Sequence, residues 1–392
     1  MNMVSGKSGA HALITDSKTL ADFCGRLAEA PFVTVDTEFL RDKTYWPQLC
    51  LVQVAGPLEA AAIDTLAAGL DLAPLLSLLD NRAITKVFHA ARQDVEIFHR
   101  LTGRVPIPMV DTQVVAMVCG FGDAASYETL AGKLAGASID KSSRFTDWAR
   151  RPLSDKQLVY ALSDVTHLRL VYERLMENVE KSGRAHWVED EMSILTDPAT
   201  YRADPETAWL RLKTRNDRPR FLSVLKEIAA WREREAQARD LPRNRVIKDE
   251  TLMEIAAHPP KDAEALAQCR GLSRSFADGK MGEGILGAVR RGLDTPENKA
   301  PRPEPRLELP PGLGPLIDLL RVFLKLRCDE HHVAQKLVAN ASDLEAIAAS
   351  DEASVPALSG WRRDLFGAEA LKLKHGKLAL TAAGKKVQVI EL

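Results

Sequence analysis

The sequence predicts a mixed α/β domain followed by two small all-helical domains. Three observations lead there. Over the first half, strand-like runs come first and then alternate with helix-like pieces, the pattern of a mixed sheet flanked by helices. After about residue 200, strand signals nearly vanish. The stretch 295–315 then carries seven prolines and divides the helical remainder as a linker. The expected division is 1–205, 206–294, a linker at 295–310, and 311–392. A chain of 392 residues has room for two or three such domains.

Each element has a local reason. FVTVDTEFL, Phe32 to Leu40, opens with β-branched and aromatic residues that suit a sheet interior. LCLVQVA (49–55) and AAAIDTL (60–66) follow closely enough for a meander. DLAPLLSLLD (71–80) has helical periodicity, ITKVFHA (84–90) reads as a strand, and ARQDVEIFHRL (91–101) as the helix after it. Helices are expected at 110–118 and 127–134. A long one should start after Ser154, as N-cap, and run through Leu175. RLKTRNDRPR (211–220), with five basic residues and one acid, reads as a charged connector. VIKDETLMEIA (246–256) and LVANASDLEAIA (337–348) resemble each other once a one-residue gap is allowed. A tandem pair of helical domains is the simpler account.

Composition excludes several classes. Hydrophobic residues at 45% and charged residues at 27% match an ordinary globular protein. A net charge of −1 argues against a wholly basic nucleic-acid coat, though a local basic face suffices for binding. Five scattered cysteines without C-x-x-C argue against a zinc ribbon or disulfide frame and for a reducing compartment. The start, MNMVSGKSGAHALITD, lacks an apolar signal core, and no run approaches the ~18 apolar residues of a membrane span. The expectation is a cytoplasmic protein with no membrane association and no stable protein partner.

Acids stand out against this background. Asp36 and Glu38 are two apart on a strand, so their side chains share a face. Asp94 falls at the start of a helix that follows a strand. Tyr160 and Asp164 are four apart on the long helix and share a face there. Two divalent cations ~3.5–4 Å apart, as used in phosphodiester hydrolysis, need several carboxylates from different elements. Oxygen donors suit Mg²⁺ or Mn²⁺. In that reading Asp36 bridges both ions and Glu38 holds the one nearer the attacking water. Asp94 and Asp164 complete the coordination, Asp94 through water. Tyr160 orients the attacking water, since a phenol of pKa ~10 is a poor base. Taken singly, each residue has a plainer use: a solvated turn for Asp36 and Glu38, a helix-start acid at Asp94, a half-buried aromatic at Tyr160, an ion pair for Asp164.

The motifs DTEF, HAARQD and YALSD resemble the three exonuclease motifs of the DEDD superfamily, in its tyrosine subgroup. The longer phrases DTEFLRDKTYWPQLCLVQ, VFHAARQDVEIF, MVDTQVVA and TDWARRPLSDKQLVYALSDVTHL resemble the ribonuclease D family within it. RNDRPRFLSVLKEIAAWREREAQARDLPRNRVIKDETLMEIA is similar to the opening of an HRDC domain. The resemblance implies a ribonuclease H-like catalytic domain and C-terminal HRDC domains that bind nucleic acid. It also implies a metal-dependent 3′→5′ exoribonuclease that releases 5′-mononucleotides and trims the single-stranded 3′ ends of tRNA precursors. A DNA exonuclease of the same fold is the first alternative, and a non-catalytic nucleic-acid scaffold the second.

Substrate contacts are expected beside these motifs. By resemblance, Phe39, Leu40, Trp46 and Gln48, with Gln53, lie near the nucleotide pocket, where an aromatic stacks on a base; Phe39 and Leu40 are equally well ordinary core. Trp46 stands where the family often has Tyr. His89 either touches substrate or is a core histidine with one backbone hydrogen bond. Arg144, Arg150 and Arg151 are candidates for phosphate contacts, or a solvated basic loop. The basic residues from Arg211 to Arg220, with Arg239, Arg243, Arg245 and Lys248, either guide RNA or form a solvated face.

Overall fold

The computed structural model describes residues 13–302 and 309–392. The readings made on residues 1–12 and on the linker's centre, 303–308, lie outside the described residues. Contact density groups the chain into two compact units. One holds the described residues up to Glu38, Leu49–Tyr201, and the described residues from 309 onward. The other holds Phe39–Gln48 and the described residues from Arg202 to 302.

The first unit is built on a six-stranded mixed sheet. Its elements are β1 (Leu13–Ile14), α1 (Ser17–Leu27), β2 (Phe32–Leu40), β3 (Gln48–Ala55), β4 (Ala60–Ile63), α2 (Ala73–Asp80), β5 (Thr85–Phe88), α3 (Arg92–Thr102), β6 (Met109–Asp111) and α4 (Thr112–Val118). Three helices follow: α5 (Tyr127–Leu130), α6 (Asp155–Ser182) and α7 (Ala185–Thr196). Strand order is β1-β4-β3-β2-β5-β6. β3 and β4 run antiparallel; β1 with β4, β2 with β5, and β5 with β6 run parallel. The long helix is capped as expected. The Ser154 hydroxyl accepts from the Gln157 N–H, and the Gln157 side chain accepts from the Ser154 N–H, closing a capping box.

β2 sits mid-sheet and is buried on both sides. Val33 and Val35 join Val52, Ile63, Leu75 and Phe98 in one core. Phe32 joins Val115, Leu168, Val171 and Leu175 in another. Thr34, fully buried, donates to the Val165 carbonyl at 2.8 Å and so pins β2 to α6. Buried Lys86 on β5 donates to the carbonyls of Asn81, Ile84 and Ile107, each at 2.8 Å.

The C-terminal segment shares the second core. Leu320 and Phe323 from the helix Gly314–Glu330, with Ile347 and Phe366, pack in one cluster with Leu168 and Val171. Trp187 and Trp361 stack with centroids 4.1 Å apart. Arg362 forms an ion pair with Glu191, both largely buried. Gly120 has φ +79°, and a Cβ there would lie 2.6 Å from the His332 carbonyl oxygen, so only glycine fits. The segment ends in a hairpin, β7 (Leu378–Ala383) and β8 (Lys386–Glu391), which corrects the expectation of a purely helical region.

The second unit has its own helical core. α8 (Pro219–Arg239) packs with α9 (Arg243–Val246), α10 (Asp249–Ala257) and the helix Lys280–Asp294. Leu222, Leu225, Ile228, Leu252, Ile255, Ile285 and Val289 are buried together. No helix among the described residues is long and apolar enough to cross a membrane.

Candidate active site

Three predicted acids meet at one place. Asp36 and Glu38 project from the last turn of apolar pattern on β2, and Asp164 from α6. One carboxylate oxygen from each lies within 4.8 Å of the others. Alternation along β2 places Thr34, Asp36 and Glu38 on one face, and Thr34 holds that face to α6 beside Asp164. Thr37 points the other way. Its hydroxyl donates a short hydrogen bond to Oδ1 of Asp94, which is buried at the start of α3. Asp94 therefore stands beside the three-acid group, with one oxygen already engaged.

The electrostatics of this arrangement are unfavourable by themselves. Burial pushes the Asp36 carboxyl up to about 6. Burial, and then the Asp36 charge, push Asp164 up to about 8. Glu38 is raised to about 10 by burial and by Asp36, Asp164 and Asp94 in turn. Asp94 is held well above the carboxylate range by burial and Asp36. Arg144 is the cation felt by both Glu38 and Asp164, and it is too little to balance four acids. Oxygen-only donors at this spacing, short of positive charge, fit divalent metal ions.

Tyr160, one turn before Asp164, hydrogen-bonds that carboxylate and packs 6.1 Å from Trp148. Burial and the neighbouring acids push its hydroxyl well above the usual range, so it stays protonated at neutral pH. His89 is half-buried, with Nδ1 3.0 Å from the Thr112 hydroxyl and its ring 5.7 Å from Tyr127. Burial lowers it to about 4, which keeps it neutral.

The remaining predicted residues scatter. Arg144 is exposed, its guanidinium 5.2 Å from the centre of the exposed Phe145 ring. Arg150 is exposed as well. Arg151 corrects the phosphate reading: all five of its N–H donors are spent. They reach Asp64 twice, at 2.6 and 2.7 Å, and the carbonyls of Cys50, Trp148 and Arg150. Phe39 and Leu40, half-buried, finish β2, and exposed Gln48 begins β3. Trp46 is half-buried in the second unit. Its backbone N–H donates to the Asp240 carboxylate at 2.9 Å, and the side chain packs on the helical core. Gln53 is fully buried, with no hydrogen-bond partner for either amide atom.

Sequence reasoning missed three supports. Thr37 is one. Tyr127 is another: its hydroxyl donates to the Ser163 carbonyl at 2.7 Å, and it feels Asp164 and Asp36. The third is Asp111, whose carboxylate accepts from the N–H groups of Ala90, Ala91 and Gln113, all at 2.9 Å. Ala90 has φ +58°, a costly conformation for a residue with a side chain. Asp111 thus holds the turn that launches α3 and aims Asp94.

Comparison with known proteins places this geometry. A family model described as 3′-5′ exonuclease matches residues 12–180, and the HRDC domain model matches 221–289. Ribonuclease D of Gluconacetobacter diazotrophicus is 52% identical over 378 residues, 96% of each chain. The chain belongs to the ribonuclease D family. Ribonuclease D of Granulibacter bethesdensis is likewise 52% identical over 96% of each chain. The crystal structure of Escherichia coli RNase D matches with a TM-score of 0.78 at 30% identity, covering 94% of this chain and 99% of that one. That protein is described as an exoribonuclease involved in structured RNA processing. The catalytic core of RRP6 from Trypanosoma brucei, 20% identical with a TM-score of 0.55 over 75% of this chain and 81% of that one, shares the fold. Family, fold and site agree on a hydrolytic 3′→5′ exonuclease.

Proposed function

We propose that the chain shortens RNA from its 3′ end, one 5′-mononucleotide at a time, with two divalent ions, Mg²⁺ or Mn²⁺, held by Asp36, Glu38, Asp94 and Asp164. The convergence of three half-buried acids within 4.8 Å carries this reading. Bound there, the ions would lower the pKa of the attacking water and balance charge building on the phosphate. The protein's own groups do the rest. Asp36, whose charge reaches Glu38, Asp94 and Asp164, would hold the ions together with Glu38 and Asp164. Asp94, fixed by Thr37, completes the shell. The Tyr160 hydroxyl, still protonated, orients the water and does not take its proton. Water oxygen bonds to phosphorus as its proton passes to solvent, and the bond to the leaving 3′-oxygen breaks as that oxygen takes up a proton from solvent. The products are a 5′-mononucleotide and an RNA one residue shorter. Exposed Arg144 is placed to meet phosphate charge.

The substrates we assign are single-stranded 3′ extensions of tRNA precursors, in line with the family and with the structured-RNA role stated for the E. coli protein. We place the enzyme in the cytoplasm, where its five free cysteines stay reduced. The test uses 5′-labelled single-stranded RNA and DNA of equal sequence, with Mg²⁺ and with EDTA. A descending ladder on RNA that EDTA abolishes is expected. A ladder confined to DNA, or one indifferent to EDTA, would overturn the reading.

A further inference from the structure

Every donor of Arg151 is spent inside the protein, and the catalytic reading gives that no purpose. Asp64, 5% exposed just after β4, accepts from its Nε and Nη2 at 2.7 and 2.6 Å. Asp64 also accepts from the Leu66 N–H at 3.0 Å, so the carboxylate is itself fixed. Nη2 reaches the Cys50 carbonyl on β3 at 2.8 Å as well, and Nη1 the Trp148 carbonyl at 2.7 Å. A planar guanidinium fork fixes direction as well as distance. One side chain therefore ties the backbone at Trp148 to the sheet. From α6, the Gln157 side-chain amide donates to the Thr146 hydroxyl at 3.1 Å, and that hydroxyl donates to the Ser143 carbonyl at 2.8 Å. Trp148 is thus braced both from the sheet and from α6.

The braced ring is 2% exposed, and its indole N–H is buried with no hydrogen-bond partner among the described residues. A stranded donor destabilises the fold, so an apolar side chain would be the better choice for packing alone. What the indole adds is a broad, stiff ring, and that ring packs against Tyr160, with centres 6.1 Å apart and planes tilted by 33°. Tyr160 then has two restraints. One is its hydrogen bond to Asp164, an acid that the metal reading also claims. The other is the contact with Trp148, which does not depend on metal.

We infer that the Asp64–Arg151 pair positions Tyr160 through Trp148, holding the phenol ring so that its hydroxyl aims at the attacking water. The inference rests on the exonuclease reading above. Arg151 and Trp148 are positioning residues, acting through Tyr160 and not on the reacting atoms. The test is a double-mutant cycle in the turnover of 5′-labelled single-stranded RNA by the full chain with Mg²⁺. Trp148→Leu should lower kcat about tenfold with KM nearly unchanged, since a displaced ring misaims the water without loosening the strand. Trp148→Phe should restore most of the loss. Added to Tyr160→Phe, Trp148→Leu should reduce kcat no further. Arg151→Lys, which keeps the charge but not the fork, should lower kcat in the same way and likewise add nothing to Tyr160→Phe. It carries the test if Trp148→Leu melts below the assay temperature. Losses that multiply in the double variant overturn the inference, because the indole would then support the fold or another group. A raised KM at unchanged kcat overturns it too, by making Trp148 a strand contact. A wild type that cuts no RNA removes the exonuclease reading and this one together, whereas multiplying losses in an active enzyme remove this one alone.

Discussion

The two helical regions after residue 200 look like siblings in sequence, yet they bury different things. The region 219–302 buries itself: Leu225, Ile228, Leu252 and Ile285 pack among residues of their own unit. The region from 314 onward closes a core with the exonuclease sheet, where Phe323 and Leu320 share a cluster with Leu168 and Val171 of α6. Amphipathic periodicity says that a helix has an apolar face, but not what covers it. The second helical region is therefore part of the body that holds Asp164.

The largest expected effect tests that comparison. Removing residues 309–392 should leave Leu168, Val171 and Leu175 uncovered, giving an insoluble or unfolded product; a soluble, active truncation would break the comparison. Phe323→Ala sharpens it. It should cost about 3–5 kcal/mol and speed hydrogen exchange through 168–179. Ile228→Ala should cost about 2–5 kcal/mol but leave exchange in 168–179 unchanged.

The acids come next. Asp36→Ala should reduce turnover to background while the fold persists. The pH dependence of the metal-free protein follows from the raised carboxyls. Asp36 near 6 and Asp164 near 8 stand above their unfolded values of ~3.9. The folded state then holds protons that the unfolded chain releases, so metal-free stability should fall as pH rises from about 4 through 8. Asp36→Asn should flatten this fall in melting curves taken across that range. Asp111→Ala strips three N–H groups of their acceptor and should cost about 1–3 kcal/mol, lowering turnover through Asp94 without touching substrate. The smallest effect should be Tyr160→Phe, less than about 100-fold in turnover, because the hydroxyl only orients the water.

The acids were legible because alternation on β2 and the four-residue turn of α6 are local rules. So were the Ser154 cap, the strand at 84–90 and the helix after it. What stayed hidden depends on partners far along the chain. The donors of Arg151 go to Asp64, 87 residues away, and Thr34 reaches Val165 across 131. Ala90 gives no sign of its positive φ, since the residue that pays for it is Asp111. Strand β6 is only three residues long, too short for any period. The hairpin at 378–391 has a mostly exposed strand β8, so it lacks the apolar alternation that marks a core strand.

The measurement closest to the central claim is a calorimetric titration of Mn²⁺ into the wild type, Asp36→Ala and Asp164→Ala at pH 8. Saturable binding by the wild type, sharply weakened in both variants, is the predicted result. Equal binding by all three, or none by the wild type, would mean that the three acids converge for some purpose other than holding metal.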